Sequence, residues 1–346
     1  MEKRLLYLIL IIVLLFTVGF SLSIGAFNIP LGDVCLTMAH KLGFCKNRPV
    51  DELYAGVIDL VRWPRTLLGL LAGAALGISG AAIQAIFRNP LAEPGLIGIS
   101  AGASLVASSI IAFESLLFAS LGQLFGHYLL AIGAFAGAGF ATWAVYRISL
   151  YEGKPHIGTM LLAGVAINAL AGSLTGLVSF YADEQQLRSI TFWMLGSLGG
   201  ASWHTILTIL PFVTFALICL PLMAKSMNTF ALGEQEAQQL GQNPNKIKLR
   251  IVLVATLAVG ATVSVSGIIG FIGLLVPHAV RLMGGADNRF VLPASALLGS
   301  IVLTVADLIA RTIAVPSEIP IGVVTALLGT PLFLFILIRD KKKIVF

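Results

Sequence analysis

Apolar stretches long enough to cross a lipid bilayer follow one another along almost the whole chain. A membrane-spanning helix needs about 20 mainly apolar residues, whereas a strand of an outer-membrane barrel needs only about ten residues of alternating polarity. Hydrophobic residues make up 58% of the 346 residues, charged residues make up 11%, and the mean hydropathy is +0.96. Such a chain has too few polar side chains to cover a soluble domain, so we expect an integral membrane protein.

The predicted fold is all-α: a polytopic membrane protein with about ten transmembrane helices and a single domain over residues 1–346. The pattern leaves open whether the seventh and eighth spans are two helices or one helix broken near Gly267. The expected spans are 5–26, 64–86, 95–113, 127–148, 157–180, 203–223, 250–266, 268–284, 291–313 and 321–338.

The distribution of basic residues predicts how the helices are oriented, because cytoplasmic loops are enriched in Lys and Arg. An even number of spans puts both termini on one side. With the termini inside, fifteen of the 22 Lys and Arg residues fall on the cytoplasmic side. We therefore expect cytoplasmic N- and C-termini. The basic residues left on the outer side are Lys41, Lys46, Arg48, Arg62, Arg65, Arg188 and Arg311.

Residues 229–250, TFALGEQEAQQLGQNPNKIKLR, form a polar island in this apolar chain. Good helix formers fill 232–240, two glutamates lie near the positive end of the helix dipole, and Gly241 stands where a helix stop belongs. Asn243 and Pro244 are expected to end that helix. A helix this short is marginal in water, so docking on the chain's own membrane domain or on another protein must order it. The alternative is an ordinary solvated loop.

Arg62, Arg65 and Arg311 lie at the outer ends of predicted helices, against the positive-inside trend. They are either anchors that snorkel to the interface or a basic platform for acidic residues of an external protein, because the planar Arg fork suits carboxylates. Asp307 is the main carboxylate predicted inside a span, and it could pair with Arg311 one turn later. Because carboxylates in the spans are scarce, a proton-coupled mechanism has little support.

The fifth span carries a stripe of small and polar residues at steps of three and four, which places them on one helical face. Such a stripe either packs against a neighbouring helix or lines a water-filled path. Asn168 is the best pointer to a path, because a buried amide in lipid needs partners. The stripe consists of Gly164, Asn168, Gly172, Thr175 and Ser179.

Glycines at small-xxx-small spacing recur in several spans and predict close approach of helix backbones. Their spacing indicates tight packing and says little about a substrate. The sets are Gly69, Gly73 and Gly77; Gly98 and Gly102; Gly133 and Gly137; and Gly172 and Gly176.

The sequence lacks catalytic and metal-binding constellations. None of the five histidines is close to another His, Cys or carboxylate, so no bound metal is expected. Gly153, Lys154 and Pro155 lack the upstream glycine and the Ser or Thr of a Walker A loop, so this chain is not expected to hydrolyse ATP. The basic residues lie at segment ends without interleaved aromatics, which argues against binding of nucleic acid.

Cys35 and Cys45 lie in one predicted outer loop. They are expected either to form a disulfide with each other or to remain two unpaired thiols.

Four collinear stretches together carry a family resemblance that covers nearly the whole chain. They are RWPRTLLGLLAGAALGISGAAIQAIFRNPLAEPGLIGISAGA from Arg62, LGEQEAQQLG from Leu232, GFIGLLVPHAVRL from Gly270 and LIARTIAVPSEIPIGVVTALLGTPLFLFIL from Leu308. They resemble the FecCD-like permeases of bacterial ABC importers for haem, ferric siderophores and vitamin B12. The resemblance implies a type II ABC importer permease fold in the inner membrane. It also implies a homodimer with the substrate path at its interface, two cytoplasmic ATPase subunits and a periplasmic binding protein.

The resemblance also implies residue roles. Arg62, Arg65 and Arg311 match the basic residues that meet the binding protein. The stripe of the fifth span matches the wall of the translocation path. The implied ATPase-coupling residues, within the coupling segment 229–250, are Leu232, Gly233, Glu234, Glu236, Ala237, Leu240 and Gly241. The implied cytoplasmic gate residues are Gly153, Lys154, Pro155 and His156.

The stretch ADEQQLRSITFWMLGSLGG from Ala182 resembles the haem permeases more closely than the siderophore permeases. Haem is therefore the expected substrate. Arg188, assigned to the translocation path, either contacts a haem propionate or is a plain arginine of a predicted outer loop at 181–193. No permanently bound cofactor is expected, and ATP is expected on the partner subunit. The alternatives are a ferric siderophore or cobalamin permease of the same family, and an ion-coupled secondary transporter.

Overall fold

The computed structural model describes residues 3–25, 27–41, 43–44, 51–117, 121 and 124–344, which form fifteen α-helices and one short hairpin. The helices before the hairpin are α1 Lys3–Ser23, α2 Leu31–Lys41, α3 Glu52–Val57, α4 Trp63–Phe87, α5 Ile99–Leu117 and α6 Leu129–Ile148. The hairpin strands are β1 Leu150–Tyr151 and β2 Lys154–Pro155. The helices after it are α7 Ile157–Tyr181, α8 Glu184–Leu195, α9 Trp203–Leu222, α10 Ala224–Leu232, α11 Glu234–Gln239, α12 Pro244–Ser266, α13 Ile272–Gly284, α14 Asn288–Thr312 and α15 Ile321–Ile344.

Ten of these helices are apolar enough to account for the ten predicted spans. Seven are also long enough to cross a membrane: α1, α4 with its π-helical lead-in, α6, α7, α9, α12 and α14. Shorter apolar stretches in α5, α13 and α15 complete the set, at Ile99–Phe113, Ile272–Gly284 and Ile321–Phe335. The expectation of an all-α, polytopic membrane protein is therefore confirmed.

Two ends of the bundle can be defined by side-chain contacts. At one end, Lys3 near the N-terminus and Asn228 on α10 both bind Asp287, which precedes α14. We call this end the terminal face. At the other end, Arg65 at the start of α4 binds Asp307 near the end of α14 and Glu318 before α15. We call this end the opposite face.

Helix α4 lies at the centre of the bundle, and glycine lets its backbone touch that of α14. A Cβ atom added at Gly73 would overlap the carbonyl oxygen of Gly299, and one added at Gly77 would overlap that of Ser295. Gly102 and Gly137 make the same kind of approach between α5 and α6. These contacts confirm the predicted close packing for the glycines of α4, α5 and α6, whereas Gly172 and Gly176 on the fifth span have no neighbouring atom of the described chain within 4 Å of an added Cβ.

The helical conformation is interrupted between α12 and α13. The seventh and eighth predicted spans are therefore two separate helices. Gly267 and Phe271 both have positive φ angles, at 70° and 69°. Beside the break, the amide of Ser197 donates to the carbonyl of Ser266 over 2.8 Å, and Gly196 accepts from the amide of Ile321. Irregular backbone inside a membrane protein is tolerated where the protein itself supplies such partners.

Three expectations about local structure need correction. Residues 184–195 form a helix, not an outer loop, because Asp183 and Gln186 make a reciprocal capping box. Asn243 and Pro244 begin α12 instead of merely ending the preceding helix, since the Asn243 side chain caps it and Pro244 occupies its first turn. The predicted span at 250 thus starts too late. Cys45 lies outside the described residues, so its pairing with Cys35 stays a prediction.

Candidate functional site

The coupling segment forms a raised surface on the terminal face. Gly233, at a φ of 142°, separates α10 from α11, and Gly241, at a φ of 77°, ends the second helix. Ala237 is fully buried against the bundle, whereas Leu232 and Leu240 are 66% and 63% exposed. Two large apolar side chains thus flank a helix that is held on its inner side. This arrangement suits contact with another protein.

Polar contacts of α10 connect this segment to the membrane bundle. Docking on the chain's own membrane domain is the first of the two modes that the sequence left open. Ser226 on α10 donates to Gln242 over 3.0 Å. Asn228 donates to Asp287 over 2.7 Å and accepts from the amide of Asn288. The hydrogen bond from Asn228 holds the pKa of Asp287 below its usual value, so this carboxylate stays charged near neutral pH.

The predicted gate residues lie in and just after the β1–β2 hairpin, on the terminal face. Its turn residues, Glu152 and Gly153, have φ angles of 51° and 75°, as a two-residue hairpin turn requires. The amide of His156 donates to the carbonyl of Ser149 over 3.0 Å, which closes the hairpin at the point where α7 begins. The carbonyl of Pro155 accepts from Lys248 of α12 over 3.1 Å.

The stripe on α7 is divided between packing and a cavity. Gly164 touches the backbone of Leu96, and Thr175 is buried, so these residues pack against the rest of the chain. Asn168 donates to the carbonyl of Gly95 over 3.2 Å, while its side-chain oxygen is buried without a hydrogen-bond donor. Together with Gly172, Asn168 lines a cavity of about 360 Å³. Ser179 is half-buried farther along the helix.

Glu93 lines the same cavity and was not identified from the sequence. It precedes the 3₁₀ turn Pro94–Ile97 and lies near Ser100, so the cavity combines a carboxyl group, a hydroxyl and the amide of Asn168. Acidic groups enclosed between membrane helices are uncommon and often functional. The signal in the sequence was an acidic residue inside the motif LAEPG, next to a predicted span.

The arginines predicted to dock an external protein are buried at the opposite face. Asp307, only 2% exposed, holds one edge of the Arg65 guanidinium at 2.8–3.1 Å. Glu318 holds another edge at 2.7 and 2.9 Å. Hydrogen bonds from Arg65 hold the pKa of Glu318 below its usual value. Arg311 does approach Asp307 one turn away, at 3.7 Å, but Arg65 is the closer partner.

Arg62 and Arg311 also donate inside the chain. Arg62 binds the carbonyls of Leu22, Ser23 and Phe27, and Arg311 binds Ser21 over 2.6 and 2.9 Å. The side chains of all three arginines therefore link the ends of different helices by hydrogen bonds. Their docking role stays a prediction, with the added condition that an external carboxylate must displace an internal partner. Arg188 differs: it is exposed on α8, and its guanidinium lies 5.6 Å from the centre of the Phe192 ring.

No group of three or more His, Cys, Asp or Glu side chains in the described part of the chain could hold a metal ion. What the molecule does offer is a spanning bundle, a cavity beside α7 and a helix presented on the terminal face. This is the organisation of a permease subunit of an ABC importer, which moves substrate and leaves ATP hydrolysis to a separate subunit. The model of the FecCD transport family matches residues 11–339, and the chain belongs to that family.

Several relatives and one solved structure support this assignment across most of the chain. The hemin transport system permease protein of Yersinia pestis is 43% identical over 82% of this chain and 83% of its own. The Fe(3+)-citrate import system permease protein of Bacillus subtilis is 37% identical over 97% and 95%. The cobalamin import system permease protein of Halobacterium salinarum is 39% identical over 85% and 76%. A metal-chelate type ABC transporter in an inward-facing conformation superposes with a TM-score of 0.84 at 28% identity, covering 97% and 99%.

Membership in this family makes the chain a multi-pass membrane protein of an importer for haem, ferric siderophores or vitamin B12. An importer permease of this class works with an ATPase and a binding protein.

Proposed function

We propose that this chain is the permease of a bacterial haem importer. Two copies would form the path, two ATPase subunits would bind the terminal face, and a binding protein would deliver haem to the opposite face. The observation that carries the haem assignment is the 43% identity to a hemin permease, set against 37% and 39% for the iron-citrate and cobalamin relatives. No resident cofactor is needed, because haem is cargo and ATP is bound by the partner.

Charge and exposed apolar surface support ATPase binding at the terminal face. In the predicted topology fifteen of the 22 Lys and Arg residues lie on that side, which favours it as the cytoplasmic side. Leu232 and Leu240 are exposed there on a segment whose inner residue, Ala237, is fixed to the bundle. A rigid support under an apolar contact lets force pass from the partner into the membrane helices.

The exposed face of α7 supports the homodimer. In the most apolar part of α7 only 22% of the helix is buried within one chain. The corresponding value for the stretch Glu52–Phe87, which contains α4, is 83%. Gly172 and Gly176 have no neighbouring atom within 4 Å of an added Cβ, unlike the glycines of α4. A second copy can approach closely at these two positions, which would enclose the path between the two α7 helices.

The opposite face offers contacts suited to a tetrapyrrole with propionates. Arg188 is exposed and stacks near Phe192, which combines a cation with a flat apolar ring. Iron-citrate and cobalamin are the alternative substrates, since permeases for both are related to this chain. Coupling to an ion gradient is not needed in a family driven by ATPase subunits.

Uptake into proteoliposomes tests this proposal. Vesicles would contain the chain with its ATPase, and haem, ferric citrate or cobalamin would be supplied on the binding protein. We expect ATP-dependent accumulation of haem and little of the other two. Uptake of haem that continues with a hydrolysis-deficient ATPase would contradict the coupled mechanism, and preferred uptake of another cargo would contradict the haem assignment.

Replacing Glu318 with glutamine should strengthen docking of the binding protein. Glu318 is 44% exposed at its side chain, so it is the partner of Arg65 that an external carboxylate can displace, whereas Asp307 is enclosed. Weakening this internal pair leaves one edge of the guanidinium available. We expect the binding protein to bind about tenfold more tightly. The measurement is surface plasmon resonance at low salt, with the permease immobilised.

Glu184→Gln is the matched control for that measurement, because it removes an exposed carboxylate at the start of α8. Its affinity for the binding protein should equal that of the wild type. Weaker docking of Glu318→Gln would show that Glu318 positions Arg65 for the partner instead of competing with it.

A further inference from the structure

Lys248 is a buried cation on the second turn of α12, close to the terminal face. Its side chain extends from a helix of the membrane bundle, and the residue is only 4% exposed. Buried ammonium groups are costly unless acceptors surround them, so its partners explain why it is held there.

Two acceptors bind the Lys248 ammonium, and they belong to two different functional segments. The carboxylate of Glu234, at the first position of α11, lies 2.7 Å away. The carbonyl oxygen of Pro155, at the end of the β1–β2 hairpin, lies 3.1 Å away. The side chain of Glu234 is partly exposed, whereas Pro155 is buried. One nitrogen atom thus joins the coupling helix to the predicted gate.

The hairpin is short and leads directly into α7. Only His156 separates Pro155 from the first residue of α7, and the His156 amide is fixed to Ser149. A displacement of the Pro155 carbonyl therefore moves the start of the helix that lines the cavity at Asn168. Because Glu234 on α11 binds the Lys248 ammonium directly, a movement of α11 also acts on that ammonium.

We propose that Lys248 is a positioning residue that passes the displacement of α11 to the hairpin and to α7. This inference rests on the proposed function, in which an ATPase subunit moves α11. Lys248 is suited to the task because an ammonium has three donors on a flexible stem and can follow both acceptors as they shift. Without it, the Pro155 carbonyl loses its charged donor, and α11 can move without the hairpin.

Hydrogen exchange of the full-length purified chain tests the link without any partner. In Lys248→Met we expect the amides of His156 and of residues 237–240 to exchange about tenfold faster, because each segment loses a charge-assisted hydrogen bond. Lys248→Arg can donate to both acceptors and should restore protection. Lys225→Met is the control, since Lys225 is an exposed lysine on α10 at the same face. Hairpin exchange in Lys248→Met equal to that in Lys225→Met would overturn the proposal.

Adding the ATPase subunit extends the experiment. In the wild type, exchange should slow both in 234–239 and in the hairpin, whereas in Lys248→Met it should slow in 234–239 alone. Equal slowing of the hairpin in both proteins would overturn the link. If the ATPase protects neither segment of the wild type, the proposed function fails, and the exchange of the isolated chain still decides the link.

Uptake in the assembled importer gives a second readout. Lys248→Met should transport about tenfold less substrate per ATP hydrolysed, while the ATPase still binds, and Lys248→Arg should recover most of that ratio. A merely destabilised chain would lose ATPase binding, hydrolysis and uptake together. An unchanged ratio in Lys248→Met would contradict a positioning role.

Discussion

Leu240→Asp is expected to reduce ATP-driven uptake strongly while the chain still folds. Leu240 is 63% exposed at the end of α11, so aspartate there disturbs little internal packing. In the proposed assembly the same side chain is buried against the ATPase, where an unpaired carboxylate would be strongly unfavourable. We expect at least about tenfold less uptake and loss of ATPase co-purification, because central apolar anchors dominate the energy of such contacts.

Leu240→Met is the matched control, since it keeps the volume and apolar character of the side chain and should retain uptake. Ala237→Asp gives the opposite signature: Ala237 is fully buried, so the charge should destabilise the chain itself. Normal uptake by a monodisperse Leu240→Asp protein would show that α11 is not the ATPase contact. Leu232, exposed at the other end of the same surface, provides an independent repeat of the test.

The spans could be predicted because hydrophobic length is a local property of the sequence. Every predicted span overlaps an observed helix, and the largest boundary errors lie where charge interrupts the pattern. The helix α12 begins at Pro244, but Lys246, Lys248 and Arg250 made its first turns look like a loop. The capping box of α8 was visible as Asp183 followed three residues later by Gln186, and it should have outweighed the polarity of that stretch.

The environment of the charged groups could not be predicted, because it depends on contacts between distant parts of the chain. Arg65 binds residues that lie 242 and 253 positions away, and Lys248 binds Pro155 across 93 positions. The sequence identified the arginines as unusual from their side of the membrane alone. The pattern alone could not show whether these arginines are exposed for a partner or buried in contacts within the chain. This difference decides which carboxylate a docking experiment should alter.

The glycines show the same division between local and distant information. Their spacing predicted close helix packing, but spacing treats Gly73 and Gly172 alike. In the folded chain Gly73 touches the backbone of Gly299, whereas Gly172 faces open space beside the cavity. The difference separates glycines that hold one subunit together from those available to a second copy.

Gly80→Ala is expected to destabilise the chain by about 3 kcal/mol, because its added methyl group has no room. Gly80 is buried in α4, and a Cβ there would overlap the carbonyl oxygen, carbonyl carbon and Cα of Gly273 at the start of α13. These are backbone atoms that cannot move as a side chain would. The helices α4 and α13 must therefore separate, which also disturbs the cavity lined by Gly273. The measurement is the melting temperature of the purified protein in detergent.

Gly139→Ala is the matched control, since Gly139 is exposed on α6 and a Cβ there meets nothing within 4 Å. In a helix interior alanine is favoured over glycine by about 0.5–1 kcal/mol, so this variant should melt at the same temperature or slightly higher. The same methyl group is therefore expected to have opposite effects at the two sites. At Gly80 it would overlap the backbone of another helix, whereas at Gly139 it would meet no neighbouring atom. Equal melting temperatures for the two variants would show that α4 and α13 are not held as closely as their backbones indicate.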